Sequence, residues 1–196
     1  RDSRPPRQGS RNMATVLVPL APGFEEIEAV TVIDILRRAG VTVVAAGLEG
    51  GSVTGSHGIS IETDDSLEAA MEGDYDMVVL PGGIPGADNL ENDERITELL
   101  RRMARSGKYA AAICAAPKVL AATGLLENRR ATSYPGFLDE EVTPGLKITG
   151  RPVEQDGRII TSRSAGTAMD FALALVENLV GKDCRDAVEA SLQRAV

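Results

Sequence analysis

The sequence predicts an α/β fold of the flavodoxin-like, doubly wound class, a mainly parallel sheet with helices on both faces. Three observations predict it. Short β-rich runs alternate with amphipathic helical segments from residue 15 onward, which demands crossover connections. One of the runs, Asp76–Leu80, is apolar almost throughout, the pattern of a strand covered on both faces. The chain has 196 residues, 43% hydrophobic and 26% charged, enough for one well-buried core.

Each element has its own signal. Residues 1–12 are Arg- and Pro-rich without apolar periodicity and read as a disordered basic leader. Such a leader is a non-native or upstream extension, or an organelle-targeting remnant. Residues 13–196 then form a single domain. Thr15–Leu20 is the first strand, and Phe24–Arg38 a helix closed by Gly40 as its C-terminal cap. Val41–Ala46 is the second strand, and Ser52–Glu62, with its glycines, a hairpin. A short helix at Leu67–Glu72 leads into strand Asp76–Leu80. Ile96–Ala104 is helix, Tyr109–Ile113 strand and Ala115–Ala122 helix again. After a less regular stretch at 131–157 come strand Arg158–Ser162 and helices Ala168–Val180 and Asp186–Gln193. No internal repeat is present.

Composition narrows the function. Net charge is −8, and because residues 1–12 contribute +3, the body stands at −11. Such a body repels phosphate backbones, which argues against a nucleic-acid partner. No apolar run is long enough to span a membrane, and the front end lacks the apolar centre of a secretory signal. Two cysteines seventy positions apart and a single distant His form neither a zinc site nor a disulfide framework, so no metal is expected. The implied setting is reducing, hence cytoplasmic.

In doubly wound sheets ligands sit beyond the carboxyl ends of the strands. Three strand-to-helix turns stand out there: Ala21–Glu28, Pro81–Gly86 and Cys114–Pro117. TyrAlaAlaAlaIleCysAlaAlaProLys, 109–118, passes from strand to helix with no loop, the geometry of a nucleophile elbow with Cys114 at the bend. Amides at the following helix start favour an anion, so Cys114 is expected to be a thiolate with a lowered pKa. The same pattern fits a buried small hydrophobe. Cys184 has no such surroundings and reads as structural.

GlyPheGluGluIleGluAlaVal, 23–30, opens the first helix. Glu28 shares a face with Val32 and Ile35 and points inward, whereas Glu25 and Glu26 are expected to face water. A buried carboxyl tends to stay protonated and can donate to a thiolate or act as acid and base, or simply be satisfied by backbone. ProGlyGlyIleProGlyAla, 81–87, can bring backbone N–H groups to a ligand, or be a plain tight turn. His57, at a hairpin tip, reads as solvated.

GluGluIleGlu at 25–28, ValLeuProGlyGly at 79–83, AlaAlaIleCysAlaAlaPro at 111–117 and IleThrSerArgSerAlaGlyThr at 160–167 together resemble the ThiJ/PfpI superfamily. The nearest branch is the Parkinsonism-associated protein deglycase group, and the resemblance covers about residues 14–193. It implies a flavodoxin-like, class I glutamine amidotransferase-like homodimer without cofactor, described as a glyoxalase III-type enzyme, a protein deglycase, an oxidative-stress sensor and a chaperone. By position, Cys114 matches the nucleophile and Glu28 its carboxyl partner. Gly83 and Ala115 match the oxyanion-hole amides, and Arg38 with Asp34 match residues at the dimer contact near the site. The substrate implied is a small 2-oxoaldehyde or a glycated amine. Two departures stand out: Tyr134 occupies the place of a His sometimes assigned to catalysis, and His57 that of an anion-contacting Arg. Both become candidates for the rim of the site.

Overall fold

The computed structural model describes residues 14–195, so the expected basic leader at 1–12 lies outside the described residues. A seven-stranded sheet organises the chain. Its strands are β1 (Thr15–Leu20), β2 (Thr42–Gly47), β5 (Asp65–Ser66), β6 (Met77–Leu80), β7 (Tyr109–Ile113), β10 (Val153–Asp156) and β11 (Ile159–Ser162). They lie in the order β10-β11-β7-β6-β1-β2-β5, and every pairing is parallel except β10 with β11. The five parallel strands β2-β1-β6-β7-β11 therefore reproduce the 2-1-3-4-5 order of the flavodoxin-like class.

Alternation of side chains divides the core between the two faces. Val16, Val18 and Leu20 of β1, Met77 and Val79 of β6, and Ala111 and Ile113 of β7 pack toward α1 (Glu26–Arg38) and α6 (Ala168–Val180). Leu17, Val78, Leu80, Ala110 and Ala112 face the other way. There they meet α4 (Glu94–Arg105) and α5 (Pro117–Ala122) through Ile96, Leu99, Leu100, Val119 and Leu120. Because the strands bury both faces, they carry no polar side, which is why β6 reads as an unbroken apolar run.

The structure redraws several expected boundaries. Helix α1 starts at Glu26 rather than Phe24, because Glu25 is its N-cap and accepts the Glu28 N–H at 2.8 Å. Ile27 and Val30 of α1 point outward and are 57% and 48% exposed. A short helix α3 (Gly86–Glu91) forms where the Gly- and Pro-rich composition suggested only a turn. Helix α5 begins at Pro117, since Cys114–Ala116 form the turn itself. The stretch read as less regular contains β8 (Arg130–Ala131) paired with β9 (Lys147–Ile148), followed by β10. Helix α7 runs from Lys182 to Leu192, starting earlier than Asp186. The expected hairpin is present as β3 (Ser52–Thr54) against β4 (Ser60–Glu62), and α2 (Leu67–Ala70) follows β5. Among the described residues no helix is long and apolar enough to cross a membrane.

Candidate active site

Four successive carboxyl ends of the sheet converge on one place. β7 delivers Cys114 with φ +65°, a left-handed conformation that costs a non-glycine residue on the order of 1–3 kcal/mol. Its neighbours hold it there. The Cys114 N–H donates to Ser162 O at 2.9 Å, and the Cys114 carbonyl accepts from the Tyr134 N–H at 2.8 Å. The nucleophile elbow expected from the sequence is thus present, and its sulfur is half-buried.

The turn after β1 delivers Glu28, whose side chain is fully buried. Its Oε1 accepts the Gly82 N–H at 3.0 Å. Its Oε2 has no partner of full hydrogen-bond geometry among the described residues. The thiol contact is felt electrostatically, lowering the carboxyl's affinity for protons and raising the thiol's, as when sulfur shares its proton with oxygen. Long or misaligned contacts of this kind are common before substrate binds.

Gly82 makes the approach possible. A Cβ there would stand 2.7 Å from Cys114 Cβ and 2.8 Å from Glu28 Oε1. Next to it Gly83 has φ +92°, and a Cβ would press to 2.5 Å from the Glu25 nitrogen. The two glycines let the turn after β6 slide between α1 and the elbow.

Burial governs the electrostatics. Desolvation pushes Glu28 from its ordinary 4.5 up to about 7, with the charge of Glu25 adding to the rise. Desolvation, then the charge of Glu28, push the Cys114 thiol up to about 11, against the opposing pull of Ser164 and the Ala115 N–H. The expected resting thiolate is therefore corrected. Helix α5 has only six residues and begins three positions beyond Cys114, too little dipole to offset desolvation. What the site holds near neutral pH is a thiol beside a carboxyl poised to ionise.

The other candidates divide into those at the thiol and those away from it. The Ala115 N–H points to the sulfur, and neither it nor the Gly83 N–H meets an oxygen acceptor among the described residues. Tyr134 adjoins the elbow through its backbone, while its ring, nearly half exposed, packs edge-on against Phe137 at 6.0 Å. His57 lies in the β3–β4 turn with its Nδ1 3.1 Å from Glu26 Oε1 and 3.6 Å from Glu25 Oε1. These three donor atoms fall within 4.8 Å of one another.

Glu26 does not face water as expected. It is buried, and its carboxylate accepts the backbone N–H groups of His57 and Ile59 at 2.8 and 3.1 Å, clamping the hairpin turn onto α1. Backbone donors and the imidazole hold it below the ordinary glutamate range despite its burial. Asp34 and Arg38 form an exposed i,i+4 pair at 2.5 Å, six and ten residues beyond Glu28, so roughly 9 and 15 Å along the helix. They do not join the thiol within the chain. Instead they line a groove of about 620 Å³ with Val30, Ile33 and Ile61, distinct from the elbow. Cys184 donates to the Ala39 carbonyl at 3.6 Å, in keeping with a structural part.

Ser164, which the sequence reading did not single out, stands with its Oγ 3.9 Å from the Cys114 sulfur. The available signal was the register Ser162↔Ile113, which brings the residues after β11 abreast of the elbow, but sequence alone does not reveal strand register.

Comparison with known proteins agrees with this fold. The DJ-1/PfpI family profile matches residues 14–178. Protein dj-1beta of Drosophila melanogaster is 42% identical over 170 residues, 86% of this chain and 91% of that protein. The crystal structure of Drosophila melanogaster DJ-1beta aligns with TM-score 0.88 and 39% identity, covering 94% of this chain and all of that one. DJ-1 homolog A of Arabidopsis thaliana is 39% identical over 180 residues. The match takes in 91% of this chain but 46% of that protein, so the chain spans under half the length of this plant relative. A protein of Pyrococcus abyssi named a deglycase is 33% identical over 151 residues, 77% of this chain and 90% of its own.

Proposed function

The chain belongs to the DJ-1/PfpI family, and on that premise we propose that it is a cofactor-independent cysteine enzyme acting on 2-oxoaldehydes such as methylglyoxal, or on early glycation adducts. The observation that carries the reading is the pairing of a strained Cys114 with a buried Glu28 that ionises near neutral pH. The relative named a deglycase supports the same class of chemistry.

The steps follow from the geometry. Cys114 Sγ bonds to the aldehyde carbon while its proton passes to the Glu28 carboxylate, and the carbonyl oxygen, charged as the bond forms, lies toward the Ala115 and Gly83 amides. That oxygen takes this proton back from Glu28 to give a hemithioacetal, and Glu28 is a carboxylate again. Glu28 then moves a proton from the former aldehyde carbon to the adjacent ketone carbon, and the hydroxyl proton of the first carbon passes to the oxygen of the second, so that the first is oxidised to a thioester carbonyl and the second reduced to an alcohol. Water cleaves the resulting thioester to a 2-hydroxy acid and regenerates the thiol. No electron leaves the substrate, so no external oxidant is required. Addition of the same sulfur to a glycated amine would release the amine.

A homodimer in a reducing, cytoplasmic setting is part of the proposal. Ile27 and Val30, exposed on α1 beside the groove of Asp34 and Arg38, supply an apolar surface for it.

The test is lactate formation from methylglyoxal without glutathione. Cys114→Ser should abolish it, and Glu28→Gln should lower it by about 10²–10⁴-fold, the usual worth of a general base. Lactate formed by Cys114→Ser would remove the proposal.

A second reading has its own support. The Ala115 N–H and a protonated Glu28 offer the sulfur donors, a setting suited to a sulfinate. A stable gain of two oxygens on Cys114 after mild peroxide, with no aldehyde turned over, would make the protein a redox sensor instead.

A further inference from the structure

We propose that the hydroxyl of Ser164 is a further donor to the reacting sulfur, so that the loop after β11 completes a site otherwise built from α1 and the turns after β6 and β7. This rests on the reading of Cys114 as the reactive group and deepens it.

The geometry has three parts. Ser164 Oγ lies 3.9 Å from Cys114 Sγ, the long end of a hydrogen bond to sulfur. The position is fixed by the sheet: Ser162 pairs with Ile113 in the parallel register of β11 and β7, and the Ser162 carbonyl accepts the Cys114 N–H. Ser164 itself is tied down locally. Its N–H donates to Thr167 Oγ1 at 3.2 Å, its carbonyl accepts the Thr167 N–H at 3.0 Å, and Thr167 is buried. The hydroxyl therefore hangs from an anchored backbone beside the nucleophile.

Chemistry assigns the direction. A hydroxyl rotates to donate or accept, whereas a sulfur that has lost its proton only accepts. As the Cys114 proton moves to Glu28, charge grows on sulfur, the Ser164 O–H turns to donate, and the contact tightens. Ser164 keeps its own proton throughout; it stabilises the anion and transfers nothing. It thus acts alongside the Ala115 N–H and opposes the desolvation that holds the thiol high. The titratable groups facing the sulfur are Glu28 and, behind it, Glu25 at the start of α1, with His57 across from Glu25.

Alkylation separates this from turnover. The rate of carboxamidomethylation by iodoacetamide is followed across the titration of the thiol by the mass of the peptide carrying Cys114, which also excludes Cys184. Ser164→Ala should raise the midpoint by about one pH unit, slowing alkylation about tenfold at a fixed pH below it, as expected for losing one hydrogen bond to a charged group. Ser164→Thr, which restores a hydroxyl, should keep the parent profile. Repeating the series with Glu28→Gln removes the titration of the carboxyl and should leave the Ser164 effect in place. A Ser164→Ala profile that coincides with the parent, or a Thr variant shifted as far as Ala, overturns the proposal while leaving Cys114 reactive. A parent Cys114 that resists alkylation at every pH overturns this inference and the reading beneath it together.

Discussion

At the scale of single residues the chemistry turns on where one proton resides. Glu28 ionises at about 7, and only its carboxylate can take the thiol proton. The kcat/KM for methylglyoxal should therefore rise as pH increases through about 7, and Glu28→Gln should lose that limb; a parent profile flat across the region would refute the assignment of the base. The same shift has a thermodynamic side. Because the folded-state pKa lies above the ordinary 4.5, the contribution of Glu28 to stability is fully present below 4.5 and is lost as pH rises to about 7. The cost above pH 7 is on the order of 3 kcal/mol. Glu28→Gln should thus unfold at higher denaturant concentration than the parent at pH 8, with the difference vanishing toward pH 4. A variant far less active yet more stable is the signature of a site that sacrifices stability for reactivity.

At the scale of elements the site is a meeting of turns, and its tolerances are those of backbone against backbone. Gly82→Ala places a methyl 2.7 Å from both Cys114 Cβ and the Ile113 carbonyl oxygen. It should destabilise the protein by about 1–3 kcal/mol and part the thiol from its base, so thermal melting and lactate formation should fall together. Wild-type turnover in Gly82→Ala would show that the close approach is dispensable. The sequence made much of this legible. The parallel sheet followed from runs such as MetValValLeu at 77–80, and the elbow from an alanine strand entering a helix at Cys114. Glu28 followed from its spacing with Val32 and Ile35. The rest depended on contacts that periodicity does not encode. β10 went unread because ValGluGlnAsp is held by pairing with β11, not by its own pattern. The burial of Glu26 is invisible to periodicity because its partners are backbone amides about thirty residues away. The resting charge of Cys114 was misjudged because dipole direction can be read from sequence, whereas depth of burial cannot.

At the scale of the whole molecule, helix α1 has two apolar sides. Ala29, Val32, Ile35 and Leu36 enter the core, while Ile27 and Val30 remain outside. A partner copy would account for the outer pair. Val30→Arg should shift sedimentation from a dimer to a monomer with little change in the folded spectrum; a parent that sediments as a monomer would dispose of the dimer. The sheet itself ends differently on its two flanks. On one, β5 pairs through only Asp65 and Ser66. On the other, β10 reverses direction, and Arg130 closes over it, its N–H on the Asp156 carboxylate and its guanidinium on the Gln155 carbonyl. Neither margin offers the long run of open amides and carbonyls that a foreign strand needs to zip onto. A seven-stranded sheet has in this way two poor templates for cross-β growth, and crowding or partial warming should leave the protein without fibrils.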